Sequence, residues 1–152
     1  MKMGAINYKT SNYITIGYNL NYADYEDEYY HEVFDQVSER LKDYYFYYWN
    51  VVIEPGYYEG FSIDIENNFP WCFENYHEKR EALKEATQIK KFLLECINDF
   101  KCCAVSPGWC TAYHDYKKSI KRLYDAIEEM KQEVKNTCTY YTLPESEKIP
   151  LW

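Results

Sequence analysis

The chain has 152 residues, 25 acids against 17 bases, a formal net charge of −8 and 19 tyrosines. That length suits one domain, 1–152, able to bury its own core, and the acid excess argues against direct nucleic-acid binding, because phosphate contacts need cations. No stretch approaches the roughly 18 apolar residues of a membrane span, and the start "MKMGAINYKT" has no apolar export core, so the expectation is a cytoplasmic protein with reduced cysteines.

Residues 5–18 contain "NYITIGY", β-branched and aromatic positions in rough alternation that predict a first strand. A helix follows from near Asp24, which can cap it, with Glu26, Asp27 and Glu28 in a first turn where the helix dipole favours anions. Its apolar positions Tyr30, Val33, Phe34, Val37 and Leu41 step by three and four, so one stripe faces a core. Residues 44–53 alternate as a second strand, with Tyr45, Tyr47, Trp49, Val51 and Ile53 on one side and Tyr44, Phe46, Tyr48 and Val52 on the other. Glu54-Pro55-Gly56 marks a turn, and Phe61, Ile63 and Ile65 alternate with Ser62, Asp64 and Glu66 on the return strand. The second strand is thus apolar on both faces and the third on one, so something must cover the spare face or its tyrosines stand ready for a partner.

After the aromatic loop "NNFPWCFENY" a helix is predicted over 78–100 on the stripe Ala82, Ala86, Ile89, Leu93, Ile97 and Phe100, with lysines opposite. Pro107 and Gly108 break the chain, and a last helix over 113–135 carries Tyr113, Tyr116, Ile120, Leu123, Ile127, Met130 and Val134. Two helices joined by a short loop form an antiparallel hairpin over 77–136; residues 137–152 read as an irregular tail. The expected fold is α+β: a small antiparallel three-stranded sheet packed by helices, in the order β-α-β-β-α-α. Residues 1–76 form its acidic half.

Charge and tyrosine are concentrated in that half. Residues 1–76 hold 13 acids against 4 bases, and residues 77–152 hold 12 against 13. The segment 23–43 alone carries eight carboxylates, Glu32, Asp35, Glu39 and Asp43 among them. Residues 43–66 contain six tyrosines, including Tyr44, Tyr48, Tyr57 and Tyr58. Tyrosine combines rigid contact area with a polar tip, and an acidic face attracts a basic groove, including one that normally holds DNA or RNA.

Signals for catalysis are weak by comparison. Cys102, Cys103, Cys110 and His114 make a C-C-x6-C-x3-H pattern that offers four zinc ligands, but adjacent cysteines in extended chain point apart, so buried thiols are the favoured reading. Cys72 and His77 could pair as nucleophile and base only if folding joined them. Glu59, Asp64 and Glu66 could hold a divalent cation for phosphodiester cleavage, the alternative reading of the chain as a metal-dependent nuclease. Lys117, Lys118, Lys121 and Arg122 form a basic patch among tyrosines, read chiefly as a solvated helix face. No phosphate-binding glycine loop and no nucleophile elbow occurs in the sequence, and no cofactor is expected.

The stretches "VVIEPGYYEGFSIDIENNFPWCF", "EKREALKEATQIKKFLLECI" and "SPGWCTAYHDYKKSIKRLYDAIEEMKQEV" together resemble small acidic proteins of phages and mobile elements of low-GC Gram-positive bacteria. The resemblance covers residues 4–136 in style and element order and carries no catalytic motif. It implies a non-enzymatic anti-defence inhibitor, of the anti-CRISPR kind, whose partner is a bacterial nucleic-acid-binding defence protein such as an RNA-guided nuclease. The binding residues expected on that reading are Asp24, Glu26, Asp27, Glu28, Glu32, Asp35, Tyr44, Tyr48, Tyr57 and Tyr58. A third reading is a structural module that homodimerises through the helix at 113–134.

Overall fold

The computed structural model describes residues 15–18, 29–55, 61–70, 72–105, 112–113 and 115–142. In chain order these form β1 (Thr15–Tyr18), α1 (Tyr29–Leu41), β2 (Trp49–Pro55), β3 (Phe61–Asn67), α2 (Tyr76–Phe100), β4 (Cys103–Val105), β5 (Ala112–Tyr113) and α3 (Tyr116–Asn136). A 3-10 turn at Tyr140–Thr142 follows. The class is α+β, as expected, and the expected elements occur in the expected order.

The described strands make one antiparallel sheet in the order β2-β3-β1-β4-β5. Register follows the period of two: Ile63 lies opposite Ile53 and Ile65 opposite Val51. Phe61, Ile63 and Ile65 are buried on the face the helices cover, and the Phe34 ring of α1 meets Phe61 edge-on at 5.5 Å. Between the sheet and α2 lie Trp49, Phe69 and Phe73, with Trp49 and Phe69 edge to face at 4.6 Å. The indole Nε1–H of Trp49 donates to the carbonyl of Ala82 at 3.0 Å, so its one polar atom is satisfied inside. Burying side chains of this size stabilises the fold by about 2–3 kcal/mol each.

Local chemistry sets the helix ends. The Asn75 side chain accepts from the Glu78 N–H at 3.0 Å, while the Glu78 carboxylate accepts from the Glu74 N–H at 3.1 Å, a variant of the capping box. Helix α2 stops at Lys101, which takes a left-handed conformation with φ 58°. Asp115 caps α3 by accepting from the Lys118 N–H at 3.1 Å. The two helices run antiparallel, since Lys79 reaches the Lys135 carbonyl at 3.1 Å and Lys90 lies 4.3 Å over the Tyr124 ring.

Several expectations are corrected. The sheet has five strands rather than three, because β4 and β5 intervene where a plain loop was expected between the last two helices. Cys103-Ala104-Val105 is too short to show alternation in sequence, yet it pairs with the free edge of β1. Residues 44–48 are not strand: β2 begins at Trp49. Tyr113 belongs to β5 rather than α3, and Tyr116 is exposed rather than core. The tail is irregular only in part. Phe73 and Thr139 form a parallel bridge, with the Phe73 N–H donating to Cys138 O at 2.9 Å and the Tyr140 N–H to Phe73 O at 2.7 Å. The proposed cap at Asp24 and the apex of the turn, at Gly56, lie outside the described residues. None of the described helices is long and apolar enough to cross a membrane.

Candidate functional site

Residues 43–48 answer the puzzle of the doubly apolar strand: they leave the sheet and lie along α2. The surface of α2 they meet carries Glu78, Glu81, Glu85, Gln88, Phe92, Glu95 and Asp99, stepping by three and four along one helix face. The N–H groups of Tyr47 and Tyr48 both donate to Glu85 Oε1, at 2.8 Å each. The Tyr44 hydroxyl donates to Glu95 Oε1 at 2.7 Å, and its ring packs edge-on against Phe92 at 5.5 Å and stacks on Phe46 at 5.7 Å. Arg40 of α1 closes the far end, donating to Glu95 Oε2 at 2.6 Å and Asp99 at 3.3 Å, with Phe100 5.2 Å beneath its guanidinium.

Alternation therefore persists without a strand. Tyr44, Phe46 and Tyr48 turn inward and are half-buried, while Tyr45 and Tyr47 are 83% and 63% exposed. Tyr47 meets Tyr48 edge to face at 5.0 Å, so its exposed ring is braced from beneath. On one side of this ridge lies a cleft of about 780 Å³, walled by Asn68, Phe69, Pro70 and Cys72, by Tyr140 and Tyr141, and by Glu74 and Glu78. On the other side an open groove of about 880 Å³ is lined by Glu78, Glu81, Glu85 and Lys84. Near this ridge Lys84 and the His77 ring both lean on Glu81, at 3.6 and 3.7 Å. Aromatic faces beside three carboxylates suit a cationic side chain.

Electrostatics distinguishes the two pinning carboxylates. Burial pushes Glu85 up from the ordinary carboxylate value, and the backbone N–H groups it accepts only partly oppose this. For Glu95, burial pulls upward, but the hydrogen bonds from Arg40 and Tyr44 outweigh it and hold the carboxyl below its ordinary value. Burial, then the Glu95 hydrogen bond, raises the Tyr44 hydroxyl. Tyr44 is thereby fixed as a neutral donor at physiological pH.

The expected binding residues are distributed unevenly. Asp24, Glu26, Asp27, Glu28, Tyr57 and Tyr58 lie outside the described residues, and Glu32 lies in α1. Asp35 is exposed and lines a shallow depression with Glu39, Asp43, Asp99 and Arg40. Tyr44 and Tyr48 are half-buried supports, and the outward positions are their neighbours Tyr45 and Tyr47. The carboxylate row of α2 was missed, although the spacing of Glu78, Glu81, Glu85, Glu95 and Asp99 is legible as a second stripe once sought.

Of the residues named for chemistry, Asp64 and Glu66 share the half-buried face of β3 opposite Ile63 and Ile65, while Glu59 lies outside the described residues. Cys102 and Cys103 are buried, burial pushing the Cys102 thiol up, and Cys110 and His114 lie outside the described residues. Among the described residues no three His, Cys, Asp or Glu side chains gather as metal ligands. Cys72 meets Cys138 rather than His77, which is exposed and beside Glu81. In the basic patch, Lys121 pairs with Asp125 at 2.7 Å, and Arg122 is largely buried 3.8 Å from Glu129. Two of its four cations are thus turned to intramolecular partners.

No protein-family model, curated protein or solved structure matches the chain, so what it does is argued from its own residues.

Proposed function

We propose that this chain is a non-enzymatic binding protein that captures a basic segment of a partner protein on the ridge of Tyr45 and Tyr47. The observation that carries this is the pair of exposed tyrosines, Tyr47 braced on Tyr48, beside Glu78, Glu81 and Glu85 and flanked by clefts on both sides. Tyrosine anchors inside a charged rim are the usual composition of binding hot spots. Lys or Arg from the partner would lay an alkyl stem on the rings and place the cation among the carboxylates. In keeping with the acidic net charge of −8, the partner is a bacterial protein with a basic nucleic-acid-binding groove. Blocking that groove would make the chain an anti-defence inhibitor. Asp35 and Glu39 of α1, with Asp43 just beyond it, extend the same charge past the ridge.

The test is a pulldown from bacterial lysate at low and high salt, with the wild-type chain and with the double variant Tyr45→Ala, Tyr47→Ala as baits. The proposal expects a partner that binds nucleic acid, is retained by the wild type at low salt, and is lost from the double variant. A partner held equally by both baits would contradict it.

A further inference from the structure

Among the described cysteines, Cys96, Cys102 and Cys103 are buried, whereas Cys72 and Cys138 are half-exposed. These two sulfurs lie 2.8 Å apart although their residues are 66 positions apart in sequence. The backbone accounts for the meeting. Phe73 and Thr139 are partners in a parallel bridge, so one step back Cys72 and Cys138 stand side by side in the same register. Adjacent strands are about 4.8 Å apart, within the roughly 4.4–6.8 Å that a disulfide spans between α-carbons. Cys72 also walls the tyrosine cleft, and Tyr140 and Tyr141 follow Cys138 into the same wall. The pair therefore joins the two segments that form one side of the cleft.

We propose that Cys72 and Cys138 are a thiol–disulfide site, oxidised by a low-molecular-weight disulfide of the glutathione type, and that the bond fastens residues 138–142 to residues 72–74. One thiol gives up its proton and attacks the small disulfide, forming a mixed disulfide and releasing one small thiolate. The second cysteine, also deprotonated, attacks the protein sulfur of that mixed disulfide and releases the other small thiolate. The two cysteines lose two electrons and two protons, and the small disulfide gains them as two thiols. In a reducing compartment the pair stands as thiols, and a shift to oxidising conditions closes it. Burial, with Cys138 alongside, pushes the Cys72 thiol up to about 12, so exchange begun by Cys72 is slow at neutral pH and speeds up as the pH rises. The site needs no part of the proposed binding function and stands or falls separately.

The experiment equilibrates the full chain with excess oxidised glutathione at mildly alkaline pH, alkylates the remaining thiols, and maps the cysteines by peptide mass spectrometry. In parallel the thermal midpoint is measured before and after reduction. The expected results are a Cys72–Cys138 crosslinked peptide and a Tm higher by roughly 10 °C in the oxidised form, since the bond closes a long loop. Reduction should reverse both, and Cys138→Ser should show neither. Cys72 and Cys138 remaining open to alkylation, persistent mixed disulfides with glutathione, or a Tm indifferent to reduction would overturn the proposal.

Discussion

Glu85 and Glu95 sit ten residues apart on one helix face and bind the same aromatic segment, yet their environments push them in opposite directions. Glu85 serves as an acceptor for backbone N–H groups, those of Tyr47 and Tyr48 among them, and has no need of its charge for that. Glu85→Gln keeps the Oε1 acceptor and should leave stability within about 0.5 kcal/mol of wild type at pH 7, whereas Glu85→Ala strands these N–H groups and should cost about 1–2 kcal/mol by urea denaturation. The sign with pH follows from its raised folded-state value. The cost of burying the charge is present at neutral pH and is relieved as pH falls through the folded value toward the ordinary 4.5, so wild type should gain on Glu85→Gln over that interval. Glu95 behaves oppositely. Its stabilisation is present above the ordinary value of 4.5 and is lost as pH falls through its lowered folded value. Glu95→Gln should therefore cost about 1 kcal/mol at pH 7, discounted because Arg40 and Glu95 are 34% and 22% exposed, and the difference should fade in acid.

At the level of elements, long helices were legible and short strands were not. α2 and α3 announce themselves through stripes such as Ala82, Ala86, Ile89, Leu93 and Ile97, all of them buried, whereas their caps at Asn75 and Asp115 emerged only from the structure. β4 has three residues and β5 two, too few for any period to register, and each exists because a neighbouring strand edge accepts it. The segment 44–48 alternates like a strand, and its inward and outward sides do alternate. What sequence could not reveal is that its backbone partner is a carboxylate on a helix, because Glu85 lies 37 positions away from Tyr48. That tertiary contact exchanged the expected exposed pair, Tyr44 and Tyr48, for Tyr45 and Tyr47. The end of α2 offers a simple check on local strain. Lys101 holds φ 58° with a side chain that disfavours it, so Lys101→Gly should raise stability by about 0.5–1 kcal/mol in thermal or urea unfolding.

Across the whole molecule, charge and aromatic surface converge where the sheet ends and α2 begins. The sheet's helix-facing side fixes Trp49, Trp49 anchors the start of β2, and the preceding six residues are laid on the acid row of α2. Tyr45 and Tyr47 face outward as a consequence of that packing, and the ring contact of Tyr47 with Tyr48 supplies rigidity without contact to a partner, which lowers the entropic cost of binding there. The acids around them are exposed enough to steer a basic partner and to lose that advantage in salt. The most direct measurement is an NMR titration of the chain with a short arginine-rich peptide at low ionic strength, followed through the ring and amide signals. Shifts at Tyr45, Tyr47, Glu78 and Glu81 that reverse on adding salt are the predicted result. An unperturbed ridge, with shifts absent or confined to other surfaces, would contradict the assignment of this face as the binding site.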